Sequence, residues 1–164
     1  MSTRRRSYES GHSPKFLVVI DDTPECDRAV YFASRRALRI GATVLMLRVI
    51  ETHDRNQQWL GVADIMRAEA HEEANAVLDR HAARASSITG IMPERVIREG
   101  EKTDELLKLI EDDEDIAILV LAAAVAKEGP GPLVTSLAKS AGEFPIPVAI
   151  VPGHLSDEDL DSMS

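Results

Sequence analysis

Two stretches of this sequence carry residues suited to chemistry. The first is Asp21-Asp22-Thr23, two adjacent carboxylates and a hydroxyl that close an apolar run, Phe16-Leu-Val-Val-Ile20. The second is a small-residue stretch, Ala122, Ala123 and Ala124, followed by Lys127, Gly129, Gly131 and the pair Thr135-Ser136. Paired acids after a strand hold a divalent cation in some phosphoryl-transfer domains, and elsewhere they only shape a turn. A loop with two glycines, one lysine and hydroxyls near a helix start offers backbone N–H groups to an anion. Glycine suits such a loop because it reaches positive φ and lets the backbone approach an oxygen with no Cβ in the way.

Other constellations point away from catalysis. A phosphoaspartate site of the receiver type needs an Asp closing the third strand and a Lys after a later one. Here the third strand closes on Glu99-Gly100 and the fifth on Val151-Pro152-Gly153, so Asp22 reads as a cap or turn residue. The run Glu111-Asp112-Asp113-Glu114-Asp115 lacks the alternation and central glycine of a calcium loop and reads as a solvated helix stop. His12, His53, His71, His81 and His154 are scattered, and His71 and His81 are not one turn apart. No serine elbow, His-Glu-x-x-His or Walker loop occurs, and no residue looks placed to activate a water. Slow ATP hydrolysis is the most an enzyme reading could claim.

The elements that must position these residues follow from hydrophobic period. Phe16–Ile20, Ile116–Leu121 and Pro147–Val151 are apolar throughout, as strands buried on both faces are, Thr43–Ile50 is apolar but for Thr43 and Arg48, and Glu94–Arg98 is a short strand flanked by charge. Between the first two, Cys26, Ala29, Val30, Ala33, Ala37 and Ile40 recur at helical spacing, with Thr23 as cap, Pro24 in the first turn and Gly41 as stop. A polar loop through Asp54 and Gln58 leads to a long helix from about Leu60 to Ala85, with a stripe of Ala63, Met66, Ala70, Ala74, Val77, Leu78, His81 and Ala85. Trp59 and Leu60 before it read as a hydrophobic staple or as a flank of the site. Thr103 is expected to cap a third helix with inner face Leu106, Leu107 and Ile110, and a fourth helix runs near Leu133 to Ala141.

Strands alternating with helices predict a doubly wound, five-stranded parallel sheet with helices on both faces. In that architecture ligands sit beyond the carboxyl ends of the strands, where strand order reverses. The rule selects Asp21–Thr23, Val49–Glu51, Glu99–Lys102 and Ala122–Ser136.

The length of 164 residues fits one domain, with 44% hydrophobic residues and only 4% aromatic ones. Its boundaries read as a flexible arm over 1–14, a domain over 15–152 and an acidic tail over 153–164. A net charge of −9 argues against nucleic acid, and Arg4, Arg5 and Arg6 are the one basic run. Cys26 is the sole cysteine and falls on the inner side of a helix, so it reads as a small hydrophobe. No signal peptide or membrane-length apolar run is evident, which predicts a cytoplasmic protein.

The order Leu17-Val-Val-Ile-Asp21-Asp22-Thr23, then Leu47-Arg-Val49-Ile50-Glu51, then a glycine-bearing loop, a helix and Pro145-Ile-Pro before the last strand resembles the universal stress protein family over Phe16 to Pro152. The resemblance implies a Rossmann-like, adenine nucleotide alpha-hydrolase-like fold that binds ATP or AMP, with Mg²⁺ only alongside nucleotide, and a homodimer through the last strand. It sets Asp21 beside adenine and the backbone at Val49 against the base. Phosphates would lie on a loop of pattern G-x2-G-x9-G-[S/T]. Laid on this sequence, the three glycines fall at Ala122, Val125 and Thr135, and only Ser136 is retained. Gly129, Gly131 and Lys127 would form a shifted phosphate loop, or the site is lost. The competing reading is a nucleotide-free dimeric interaction protein of the same fold.

Overall fold

The computed structural model describes residues 4–51 and 60–164. The expected polar loop at Asp54–Gln58 and the Trp59 staple lie outside them, as do the side chains of residues 60–63. The elements are β1 (Lys15–Val19), α1 (Cys26–Ile40), β2 (Thr43–Glu51), α2 (Leu60–Thr89), β3 (Glu94–Gly100), α3 (Lys102–Asp112), β4 (Ile116–Ala123), α4 (Pro132–Lys139), β5 (Val148–Pro152) and α5 (Asp157–Met163), with a 3₁₀ turn at Ala141–Glu143. All five strands run parallel in the order β3-β2-β1-β4-β5. The chain winds outward from β1 on one side and then on the other, so strand order reverses at β1.

Alternation along a strand explains the continuous apolar runs. Phe16, Val18 and Ile20 enter one core with Ala29, Val30, Ala33 and Leu78. Leu17 and Val19 enter the other with Leu106, Leu109, Ile110 and Leu137. Both faces are covered, so neither needs polar residues.

Several local expectations shift. Gly41 closes α1 in the left-handed region, but its N-cap is Glu25, with no side-chain hydrogen bond, and Thr23 instead donates both N–H and hydroxyl to Asp21 Oδ1. Ile40, at the end of α1, is exposed. Ala74, Val77, Leu78, Ala82 and Ala85 of α2 are buried, whereas Met66 is exposed. At 30 residues α2 is twice as long as α1, and its first turns outrun the layer that would cover them. Helix α3 is capped by Glu101, which accepts from the Asp104 N–H at 2.8 Å, not by Thr103. Its inner face holds Leu109 in place of Leu107, because 106, 109 and 110 share one face at helical pitch.

The two ends fold back. Arg5 Nη1 donates to the carbonyls of Ile110 and Asp113, satisfying the end of α3. Lys15 pairs with Asp113 at 2.7 Å, His12 with Asp115 at 2.6 Å and Arg6 with Glu114 at 3.5 Å. Asp113, Glu114 and Asp115 of the acid run expected to be solvated are thus met by Lys15 of β1 and by Arg6 and His12 of the arm, and the cations offset carboxylates placed at the negative end of a helix dipole. At the other end α5 carries a Ser156–Asp159 capping box and buries Leu160 completely. Arg28 and Arg84 pair with Asp27 and Asp157, and both guanidiniums lie over the Tyr31 ring, at 5.6 and 4.8 Å. Cys26 is buried, and burial pushes its thiol up to about 12. No described helix is long and apolar enough to cross a membrane.

A crevice at the strand-order reversal

Beyond the carboxyl ends of β1 and β4 lies a cavity of about 290 Å³ lined by Asp21, Asp22, Thr23, Glu25, Lys102, Ala122, Gly131, Leu133 and Val134 among others. A second, of about 350 Å³, lies on the β2 side and is lined by Asp21, Asp22, Arg48, Val49, Glu51, Glu73 and Lys102. They share Asp21, Asp22 and Lys102, so they form one crevice along the sheet's upper edge.

Each wall has a local cause. The Asp21 carboxylate folds back on Thr23, a tight turn that a short side chain with two acceptor lone pairs makes after a strand. That turn spends one carboxylate oxygen and holds the side chain at the mouth. Asp22 is tied to Arg48 Nη2 at 3.0 Å, and Arg48 Nη1 also donates to the Ile20 carbonyl at 3.3 Å. Val49 is a buried residue of β2 whose neighbour Glu51 faces Lys102 Nζ at 3.5 Å.

The far wall departs most from the sequence reading. Ala122 and Ala123 belong to β4, and of the alanines only Ala122 lines the crevice. The Ala124 N–H donates to the Pro130 carbonyl and the Gly129 N–H to the Ala126 carbonyl, so the loop closes on itself. Lys127 is on its exposed outside, away from the cavity lining, as is Val125 at 74% exposure. Gly131 has φ 111°, a left-handed value glycine tolerates, and serves as the N-cap of α4. Thr135 and Ser136 fall one turn inside the helix and are exposed, with the Thr135 N–H already bonded to the Gly131 carbonyl. The helix begins at Pro132, one residue before the expected Leu133, and proline's fixed φ suits the first helical position. Gly131 has no side chain to cap the first turn and Pro132 has no N–H, which leaves the Leu133 and Val134 N–H groups at the cavity wall.

The crevice therefore brings together Asp21, Asp22, Thr23, Val49, Ala122 and Gly131, and leaves Ala123, Ala124, Lys127, Gly129, Thr135 and Ser136 off its lining. Lys102, Leu133 and Val134 join it without having been named as site residues. Lys102 lies in the Glu99–Lys102 segment that the crevice rule selects, and Leu133 and Val134 lie in Ala122–Ser136.

The Universal stress protein family model matches residues 13–152. A search of curated proteins finds no match. Among solved structures, universal stress protein UspA from Lactobacillus plantarum superposes with a TM-score of 0.68 at 17% identity, covering 84% of this chain and 97% of that one. The universal stress protein from Archaeoglobus fulgidus in complex with dAMP gives 0.59 at 17%, covering 84% and 96%. A universal stress protein family protein from Arabidopsis thaliana with AMP bound gives 0.58 at 19%, covering 88% and 94%.

Proposed function

The chain belongs to the universal stress protein family, and on that premise we propose that it is a cytoplasmic stress-response protein that binds an adenine nucleotide, AMP or ATP, weakly in the crevice above β1 and β4, as a homodimer. The observation that carries the reading is the crevice itself: a cavity at the strand-order reversal with the Asp21 turn on one wall and the uncapped first turn of α4 on the other. Relatives of the same fold have been solved with dAMP and with AMP. In this reading the base lies by Asp21, whose second carboxylate oxygen is open to a donor, and by the backbone at Val49. A phosphate faces the Leu133 and Val134 N–H groups and the Lys102 ammonium. Mg²⁺ enters only as counter-ion to a bound nucleotide.

The self-closed loop at residues 124–130 favours a second reading, a nucleotide-free dimeric interaction protein. Calorimetric titration decides between them. AMP is expected to bind with a Kd between roughly 1 μM and 1 mM, about −8 to −4 kcal/mol. Asp21→Ala should weaken it about tenfold or more. No heat at millimolar AMP, or unchanged binding in Asp21→Ala, rejects the first reading.

A further inference from the structure

The charges of the crevice do not suit every adenine compound alike. Asp21, Asp22, Glu25, Glu51 and Glu73 are the carboxylates among its lining residues, and Arg48 and Lys102 are the cations. Five negative groups against two positive ones leave −3, within a chain whose net charge is −9. Both cations also have carboxylate neighbours, Arg48 at 3.0 Å from Asp22 and Lys102 at 3.5 Å from Glu51.

Backbone N–H groups offer little more. Those of Ala124, Gly129 and Thr135 are bonded within the loop and helix. The N-terminus of α3, which follows β3 to this edge, is taken by the Glu101 carboxylate. What remains is the first turn of α4 with Lys102 opposite, enough donors to meet one phosphate and too few for a chain of three.

Resting on the nucleotide reading above, we infer that the crevice selects against ligand charge: its ligands are adenosine and adenosine monophosphate, and a polyphosphate weakens binding. A triphosphate brings several negative charges to an edge that is already negative, where like charges repel and the field of the whole chain adds to the penalty. The base and ribose, being neutral, meet only the turn at Asp21 and the β2 backbone.

Titration of the full chain with adenosine, AMP and Mg²⁺-free ATP tests the inference. At about 0.01 M salt, ATP is expected to bind about tenfold or more weakly than adenosine. Raising salt to about 0.15 M shortens the screening length from about 30 to about 8 Å and should narrow the ratio severalfold. Glu73→Gln, at an exposed position of α2, should narrow it at low salt. ATP binding as tightly as adenosine overturns the inference, and so does a ratio that ignores both salt and Glu73→Gln. Absence of heat from all three compounds rejects the nucleotide reading itself, and this one with it.

Discussion

Gly153 follows β5 directly, where the chain passes the end of β4. A Cβ built there would lie 2.4 Å from the Ala123 carbonyl oxygen and 3.2 Å from Glu25 Cβ. The first is a backbone atom of the crevice's own strand and cannot move without moving β4. Gly153→Ala should therefore cost about 1–3 kcal/mol, the usual range for overpacking. At roughly 2–4 °C per kcal/mol for a chain of this size, a thermal melt should show the loss. An unchanged melting temperature would mean that the β5 exit has room to shift. At this same scale the site was unevenly legible. Asp21 and Val49 could be placed because a buried strand announces its own end, and the crevice lies at strand ends. Thr135 and Ser136 were drawn to the site by the family pattern alone, and a helix that starts at Pro132 carries them past its first turn and off the crevice lining.

At the scale of elements, the C-terminal helix is fastened to the α1–α2 face by charge as well as by burial. Leu160 supplies the apolar anchor, about 1.5–3 kcal/mol for a fully buried leucine. Asp157 bonds Arg28 at 2.6 Å and Arg84 at 3.2 Å. The Arg28 hydrogen bond holds the Asp157 carboxyl below its ordinary value; burial opposes it, and the Arg84 hydrogen bond with the two charges adds to the lowering. For Asp27 burial alone would raise the carboxyl, but hydrogen bonds from Arg28 and Arg84 outweigh it and hold it low. A carboxyl depressed in the folded state contributes stability that is fully present above its unfolded value, near 3.9, and is lost as pH falls through the lower folded value. The Asp157 side chain is about half exposed, so solvent screening keeps the pair's contribution small, on the order of 1 kcal/mol. Asp157→Asn should accordingly melt a few degrees lower at pH 7, and the gap should shrink as pH falls below about 3.9. Melts in which the offset persists at low pH would show that the helix is held without this clamp.

For the whole molecule, the question is the β5 edge of the sheet. Strand β5 pairs with β4 on one side, and Ile150 on it is 46% exposed. A bare apolar edge strand invites pairing with another chain, and a second copy is the partner proposed for it. Sedimentation of the protein at about 10 μM should give a dimer, and Ile150→Asp should give a folded monomer by placing a charge in the pairing surface. A wild-type monomer at that concentration would reject the dimer.

What the sequence determined by itself is the alternation of strands and helices, hence the parallel sheet and the position of its functional edge. Hydrophobic period is a local property, and β1, β2 and β4 declare burial on both faces through their residue types alone. Where strand order reverses, at β1, was decided by the folded pairing, because right-handed crossovers fix the face each helix covers and not the order of the strands. Tertiary structure decided what period cannot carry. The Arg4–Arg6 run reads as part of a flexible arm and residues 153–164 as an acidic tail, yet Arg5 completes α3 and Asp157 locks α5, because their partners lie far away in the chain. The phosphate wall is likewise a matter of which N–H groups the folded loop has already used. Hydrogen bonds such as Ala124 to Pro130 have no signature in residue spacing, and they leave the crevice with one turn of donors instead of a glycine cradle.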